Sequence, residues 1–123
     1  MSRILIIDDE EDVLVPLSGL LQKQGYQVAT ISRGSIAYKT VDVFKPDIIL
    51  LDVKLNDFDG RDICWELKAG KKTKNIKILL CSAHVTKKDE YREYGADDFI
   101  GKPFEFKDLL KKIKLHLNQK PDI

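Results

Sequence analysis

The chain has 123 residues, of which 43% are hydrophobic and 33% charged, and its formal net charge is +1. This length and balance fit one domain with its own core and leave no room for a second, while the small net charge gives no reason to expect a nucleic acid or a membrane as partner. No apolar run reaches the roughly 18 residues of a transmembrane helix, and the N-terminus turns acidic by residue 8, unlike a signal peptide, so we expect a cytoplasmic protein.

Five short apolar runs alternate with segments of helical period along the chain. The predicted strands lie at residues 4–7, 28–31, 48–51, 76–80 and 99–100. The predicted helices lie at residues 12–24, 35–44 and 60–69, in the segment that ends at Gly95, and at residues 105–118. This alternation predicts βαβ units and a parallel sheet with helices on both faces.

Single residues support these boundaries. Pro46 prevents the second helix from continuing, and Asp59 is a suitable N-cap for the third. Cys64 and Cys81 have apolar neighbours and no spacing typical of zinc, so they are predicted to be small buried side chains without a disulfide.

Polar residues follow four of the predicted strands, and they carry the functional signal. In an open parallel sheet, ligands bind beyond the carboxyl ends of the strands. Those positions hold Asp8, Asp9, Glu10, Asp52, Ser82, Ala83, His84 and Lys102.

The carboxylates among them predict a metal site. Asp8, Asp9 and Asp52 would repel one another at close quarters, and a divalent cation would relieve that repulsion. Ligation by oxygen alone suits a hard ion, so we expect Mg²⁺, with Mn²⁺ as a substitute, rather than zinc. A carboxylate beside a metal, the Lys102 amine and the Ser82 hydroxyl is a workable acceptor for a phosphoryl group.

Four stretches give the chain a resemblance to a known family. "ILIIDDEED", "PDIILLDVKLNDFDG", "ILLCSA" and "GADDFIGKPF" are similar in order and spacing to the receiver domains of two-component response regulators. The resemblance implies a flavodoxin-like, doubly wound α/β fold, with five strands in the order 2-1-3-4-5 and five helices on both faces. We expect a single receiver domain over residues 1–123, with its core at residues 3–117 and a tail or the start of a linker at 118–123.

The resemblance also implies roles around the third strand. Asp52 would be the phosphoacceptor, and Mg²⁺ would be held by Asp8, Asp9, Asp52 and the backbone carbonyl of Lys54. The side chain of Lys54, two residues after Asp52, would tune how long the phosphoryl group lasts.

The same resemblance assigns the residues of the last two strands. Ser82 would supply the switch hydroxyl, Lys102 would pair with the phosphoryl group, and Phe99 would be the aromatic switch residue. Ala83 and His84, which follow the switch hydroxyl, would belong to the switch and to the control of phosphate lifetime.

The family implies partners rather than a turnover reaction. We expect a sensor histidine kinase or a phosphotransfer protein as the phosphoryl donor, and a downstream protein or an output domain as the recipient of the signal. Apart from promoting its own phosphorylation and dephosphorylation, the chain would not be an enzyme. We expect no direct binding of nucleic acid or membrane, and the face between the fourth and fifth predicted helices could form a homodimer.

The chain departs from the family pattern in three places. Asn56 stands where the family often has proline, so the loop after Asp52 lacks that source of rigidity. The span from Ser82 to Lys102 is about two residues short, which shortens the fourth helix or the loop before it. Phe99 has no hydroxyl, so a switch by ring burial would not use a phenolic hydrogen bond.

The residues leave three other functions open. A degenerate receiver would bind partners without phosphorylation, although the complete set of acids, hydroxyl and lysine speaks against it. A small phosphohydrolase with an aspartyl nucleophile would need a second acid where Lys54 stands. A flavodoxin-like flavin or nucleotide binder would need a glycine-rich loop where this chain has the acidic "DDEED".

Overall fold

A computed structural model describes residues 2–83 and 90–119 of the chain. Five parallel strands form one sheet in the order β2-β1-β3-β4-β5, which confirms the predicted order. The strands are β1 (Arg3–Ile7), β2 (Gln27–Ile31), β3 (Ile48–Asp52), β4 (Lys77–Ser82) and β5 (Asp98–Gly101). Each lies within a few residues of its predicted position.

Four α-helices connect and cover the strands described. They are α1 (Glu11–Lys23), α2 (Ala37–Phe44), α3 (Gly60–Ala69) and α4 (Phe106–His116), and a 3-10 turn at Gly34–Ile36 leads into α2. Asp59 caps α3 as predicted, since its carboxylate accepts a hydrogen bond of 2.9 Å from the backbone N–H of Arg61. No described helix is long and apolar enough to cross a membrane.

The predicted count of five helices is wrong for the part of the chain that the structure describes. The predicted fourth helix falls partly on residues 84–89, which lie outside the described residues. Its described part, Glu90–Tyr94, is a 3-10 helix, and Gly95 follows it with a φ of 79°. In this described part Tyr91 and Tyr94 pack against the core, and the tighter 3-10 winding places residues three apart on the same side of the turn.

The sheet separates two apolar cores, because successive residues of a strand point to opposite faces. Ile4 and Ile6 pack with α1 and α4, whereas Leu5 and Ile7 pack with α2 and α3. All five residues of β3 are buried because this strand lies in the middle of the sheet. Burial on both faces explains why its sequence is a continuous apolar run rather than an alternating one.

The two cysteines belong to these cores. Cys64 and Cys81 are free and buried, as predicted. Burial raises the pKa of both thiols to about 12. Both therefore stay neutral at physiological pH and act as small apolar side chains.

Candidate functional site

The carboxyl edge of the sheet brings the predicted polar residues together. β1 pairs with β3, so Asp8 and Asp52 leave neighbouring strands, and Ser82 of β4 pairs with Gly101 of β5. Among the described residues, the buried polar side chains are those of Asp8, Asp52 and Ser82, which expose 4%, 6% and 7% of their surface. Buried polar groups cost free energy unless they are paired, so their concentration at one edge marks a candidate site.

Lys102 connects these groups. Its Nζ lies 2.5 Å from Asp8 Oδ2 and 3.5 Å from Asp52 Oδ2, and its backbone N–H donates to the carbonyl of Ser82 at 2.8 Å. Burial alone would lower the pKa of Lys102, but the hydrogen bond to Asp8 and the charges of both carboxylates outweigh it and raise the pKa. The amine therefore stays charged between two buried acids.

Asp52 has an altered acidity. Burial is the largest cause and raises the pKa of Asp52 to about 6, with a further increase from the charge of Asp8. The charge of Lys102 and the backbone N–H of Lys54, 3.4 Å from Asp52 Oδ1, act in the opposite direction. At neutral pH most Asp52 side chains are ionised and retain a nucleophilic oxygen.

A cluster of acids lies directly after β1. Oxygen atoms of Asp8, Asp9 and Glu10 lie within 4.8 Å of one another, and Asp8 Oδ1 accepts the backbone N–H of Glu10 at 2.9 Å. Glu10 was not among the predicted ligands. Its position next to Asp8 and Asp9 could have suggested Glu10 as a further ligand. Sequence alone does not show that the backbone turns so that the Glu10 carboxylate lies close to the other two.

The loop from Val53 to Asp59 places the backbone of Lys54 next to the side chain of Asp52. Lys54 pairs with Asp59 in an isolated antiparallel bridge, and Gly60 donates its backbone N–H to the carbonyl of Val53 at 2.7 Å. A Cβ on Gly60 would lie 2.1 Å from the backbone oxygen of Asp52. The loop thus folds tightly against the end of β3, and only glycine fits at residue 60.

Asp57 holds this loop to the 3-10 turn before α2, a contact that the sequence did not predict. Its Oδ1 accepts the backbone N–H of Gly34 at 2.9 Å, and its Oδ2 accepts that of Ser35 at 3.0 Å. These residues are more than 20 positions apart, and no local pattern marks such a long-range bond.

The remaining predicted residues lie around the edge. Phe99 of β5 is half-buried and packs against the core beneath α2 and α3. Ala83 is exposed just beyond Ser82, and the side chain of Lys54 is exposed as well. His84, predicted to tune phosphate lifetime, lies outside the described residues.

Fold and site together define a doubly wound α/β domain with an acid-lined candidate site at the carboxyl edge of its sheet. The family described as "Response regulator receiver domain" matches residues 4–114 of this chain. The chain belongs to this family, and it is a receiver domain of the kind found in two-component response regulators. The family is one of signalling proteins, and its members partner with sensor kinases.

Several curated proteins are similar to this chain in sequence. The chain is 36% identical over 117 residues to the alkaline phosphatase synthesis transcriptional regulatory protein PhoP of Bacillus subtilis, covering 95% of this chain and 49% of that protein. It is 32% identical over 124 residues to the sensory transduction protein RegX3 of Mycobacterium tuberculosis, covering 99% of this chain and 53% of that protein. The chain therefore spans about half the length of these curated relatives.

Solved structures agree on the fold over nearly the whole chain. A putative response regulator from Chloroflexus aurantiacus superposes with a TM-score of 0.89 at 30% identity, covering 96% of this chain and 98% of that one. The chemotaxis response regulator CheY4 of Vibrio cholerae gives 0.87 at 25% identity, covering 94% and 98%. The flavodoxin-like, doubly wound fold that the resemblance implied is confirmed.

Proposed function

We propose that Asp52 accepts a phosphoryl group from the phosphohistidine of a sensor kinase or phosphotransfer protein. The bridge that Lys102 Nζ makes to Asp8 and Asp52 supports this most directly, since it puts a fixed cation beside the acceptor carboxylate. Negative charge gathers on the phosphoryl oxygens during transfer, and a preorganised cation stabilises it.

The transfer exchanges one bond to phosphorus for another. A carboxylate oxygen of Asp52 bonds to phosphorus while the phosphorus–nitrogen bond of the phosphohistidine breaks, and the imidazole, which carries a proton on its other ring nitrogen, leaves with the electron pair. The product is an aspartyl phosphate and a neutral histidine on the donor. Lys102 pairs with the new phosphoryl oxygens, and the hydroxyl of Ser82 donates a hydrogen bond to one of them.

Receiver domains bind Mg²⁺ near acidic residues, and the donor atoms here fit that ion. The clustered oxygens of Asp8, Asp9 and Glu10 are hard ligands, as Mg²⁺ prefers. Asp8, Asp9, Asp52 and the backbone carbonyl of Lys54 would hold the ion, with Glu10 as a further oxygen within reach. A bound Mg²⁺ or Mn²⁺ supplies positive charge that offsets the charge of the transferring phosphoryl group.

The conformational change that follows phosphorylation would reach partners at a surface formed by β5 and α4. Phe99 lines a groove of about 630 Å³ there, together with Phe104 and Leu115. A hydrogen bond between Ser82 and the phosphoryl group would bias the position of β5, which carries Phe99. This face would then bind a downstream protein, an output domain or a second copy of the chain.

Intact mass spectrometry tests the acceptor. Incubation with MgCl₂ and acetyl phosphate is expected to add about 80 Da, the mass of one phosphoryl group. The adduct should disappear in Asp52→Ala and persist in Asp42→Ala, which removes an exposed acid of α2. An adduct that survives in Asp52→Ala, or none at any Mg²⁺ concentration, would contradict the proposal.

Lys54 is expected to protect the aspartyl phosphate from water. Its exposed side chain follows Asp52 by two residues and can cover or pair with the phosphoryl group. Lys54→Ala should therefore shorten the half-life of the phosphorylated protein several-fold, measured as loss of the mass adduct after the donor is removed. Lys39→Ala, which removes an exposed lysine of α2, is the control, and equal half-lives in the two variants would refute this role.

A further inference from the structure

We infer that Asp57 is a positioning residue, whose carboxylate fastens the loop after β3 to the 3-10 turn that leads into α2 and so fixes the backbone of Lys54 beside Asp52. This inference rests on the proposed function, because it concerns the loop that would present the Lys54 carbonyl to the metal.

The contacts of Asp57 form a two-point clamp. Each carboxylate oxygen accepts one backbone N–H, from Gly34 at 2.9 Å and from Ser35 at 3.0 Å, and both distances are normal for hydrogen bonds. The first N–H groups of a helical turn have no partner within it, so the carboxylate satisfies donors that the turn itself leaves unpaired, one of them on the buried Gly34. The bond from Gly34 is the largest of the causes that lower the pKa of Asp57, so these are charge-assisted bonds at neutral pH.

Two apolar contacts position the clamp. Leu55 is buried in the core beneath α2 and α3, and its backbone N–H donates to the carbonyl of Phe58 at 3.2 Å. Phe58 lies against Gly34, where an added Cβ would come within 2.9 Å of Phe58 Cβ. Residues 55, 57 and 58 therefore hold the loop at three places.

The clamp supplies a restraint that this loop otherwise lacks. Asn56 stands where a proline ring would fix φ, and an asparagine leaves that torsion free. Asp57 follows directly and restricts the same part of the chain by bonding to a different loop. Lys54 is only three residues away, so loosening residue 57 is expected to reach its carbonyl.

Two variants of Asp57 and one control test the inference. Asp57→Ala removes both acceptors, and Asp57→Asn keeps one carbonyl oxygen at similar size. Asp62→Ala removes an equally negative, exposed side chain from the first turn of α3 without touching the loop clamp. The readouts are amide hydrogen exchange at Leu55 and Gly60, and the dissociation constant for Mg²⁺ by calorimetry.

Asp57→Ala is expected to speed exchange at both amides and to weaken Mg²⁺ binding about tenfold, as is usual when a group that orients a metal ligand is lost. Asp57→Asn should lie between Asp57→Ala and the wild-type chain, while Asp62→Ala should match wild type. Unchanged Mg²⁺ affinity in Asp57→Ala would overturn the inference, even if the variant melts at a lower temperature. Equal effects of Asp57→Ala and Asp62→Ala would also overturn it, because charge alone would then explain them.

The two proposals fail in different ways. A wild-type chain that neither binds Mg²⁺ nor gains a phosphoryl group contradicts the proposed function. In that case hydrogen exchange, measured without metal, still tests whether Asp57 holds the loop. If the amides of Leu55 and Gly60 exchanged in Asp57→Ala at the wild-type rate, the inference would be refuted.

Discussion

At the scale of single residues, Gly60 shows how closely the backbone packs around the candidate acceptor. The 2.1 Å between an added Cβ and the carbonyl oxygen of Asp52 is too short for any relaxation of a side chain to relieve, because both groups belong to the backbone. Gly60→Ala is therefore expected to lower the free energy of unfolding by about 1–3 kcal/mol, a typical cost of overpacking. Urea denaturation measures this.

Gly19 offers the matched control. It lies inside α1 with nothing within 4 Å of an added Cβ. Gly19→Ala should raise the free energy of unfolding by roughly 0.5–1 kcal/mol, since alanine favours the helix. A Gly60→Ala variant as stable as Gly19→Ala would show that the close approach does not exist.

The residues of the site divide into those that sequence could predict and those that it could not. Asp8 and Lys102 directly follow strands, and Asp52 and Ser82 are the last residues of theirs, so the geometry of a parallel sheet brings all four together. Asp57 acts by accepting hydrogen bonds from backbone groups more than 20 residues away. An acid at position 57 could equally be an exposed loop residue without this role, and the sequence does not distinguish the two. Only coordinates distinguish that clamp from an ordinary exposed carboxylate.

At the scale of elements, Arg61 joins α3 to the 3-10 turn before β5. Its guanidinium bonds to Asp59 at 2.7 Å and to Glu90 at 3.3 Å, and it lies 5.3 Å from the ring centre of Tyr94. Arg61→Ala is expected to destabilise the turn by about 1 kcal/mol, from one cation–π contact and partly exposed ion pairs. Faster hydrogen exchange at Gly95 and its neighbour Ala96 would reveal it.

Lys39→Ala serves again as the control, because it removes one positive charge from the exposed face of α2. Its exchange rates at the turn should equal those of the wild-type chain. If Arg61→Ala also left these rates unchanged, Arg61 would not hold the turn.

A second connection, between β5 and α4, makes stability depend on pH. Asp98 lies 3.0 Å from Lys112 Nζ and 2.8 Å from His116 Nε2, and it accepts the backbone N–H of Phe99. Burial would raise the pKa of Asp98, but these bonds outweigh it and hold the pKa below its usual value of 3.8. The folded chain therefore binds a proton at Asp98 less readily than the unfolded chain.

The stabilisation from Asp98 is thus fully present above the pKa that Asp98 has in the unfolded chain. It is lost as the pH falls through the lower pKa that Asp98 has in the folded chain. We expect the difference in free energy of unfolding between the wild-type chain and Asp98→Asn to be large at pH 6 and to shrink below about pH 4. Denaturation curves between these pH values measure it, with Asp42→Asn as an exposed control. A difference that stays constant with pH would contradict the assignment.

The elements themselves were largely predictable. The apolar runs of five strands and the helical period of α1 to α4 gave their types and approximate bounds, because burial against the sheet requires these patterns. The prediction of an α-helix before Gly95 was wrong for its described part, because "EYREY" carries no apolar stripe. Its two tyrosines pack against the core from a 3-10 helix. The first residues of the predicted helix lie outside the described part of the chain.

At the scale of the whole molecule, Gln119 connects the two ends of the described chain. Its Oε1 accepts the hydroxyl of Tyr26 at 2.6 Å, and its Nε2 donates to Ser2 Oγ at 3.0 Å. The sequence placed residue 119 in a tail, where nothing indicates such contacts. Gln119→Ala removes both bonds and is expected to lower the free energy of unfolding by about 1–3 kcal/mol, since each hydrogen bond contributes roughly 0.5–1.5 kcal/mol net.

Gln22→Ala is the comparison for that measurement. Gln22 is exposed on α1, where alanine is a good helix former, so the substitution should leave stability unchanged or slightly higher. Equal stability of the two variants would mean that Gln119 contributes nothing to the folded state.

The central position of β3 gives the molecule two different timescales. Its five buried residues pair with β1 and β4, so its amides exchange with solvent only when most of the sheet opens. The loops beyond the sheet edge open locally at a much smaller free energy. A phosphoryl group on Asp52 would therefore be attached to a strand whose backbone opens rarely, while the loop that carries Lys54 beside it opens more often. The phosphoryl group would then stay in place through many openings of that neighbouring loop.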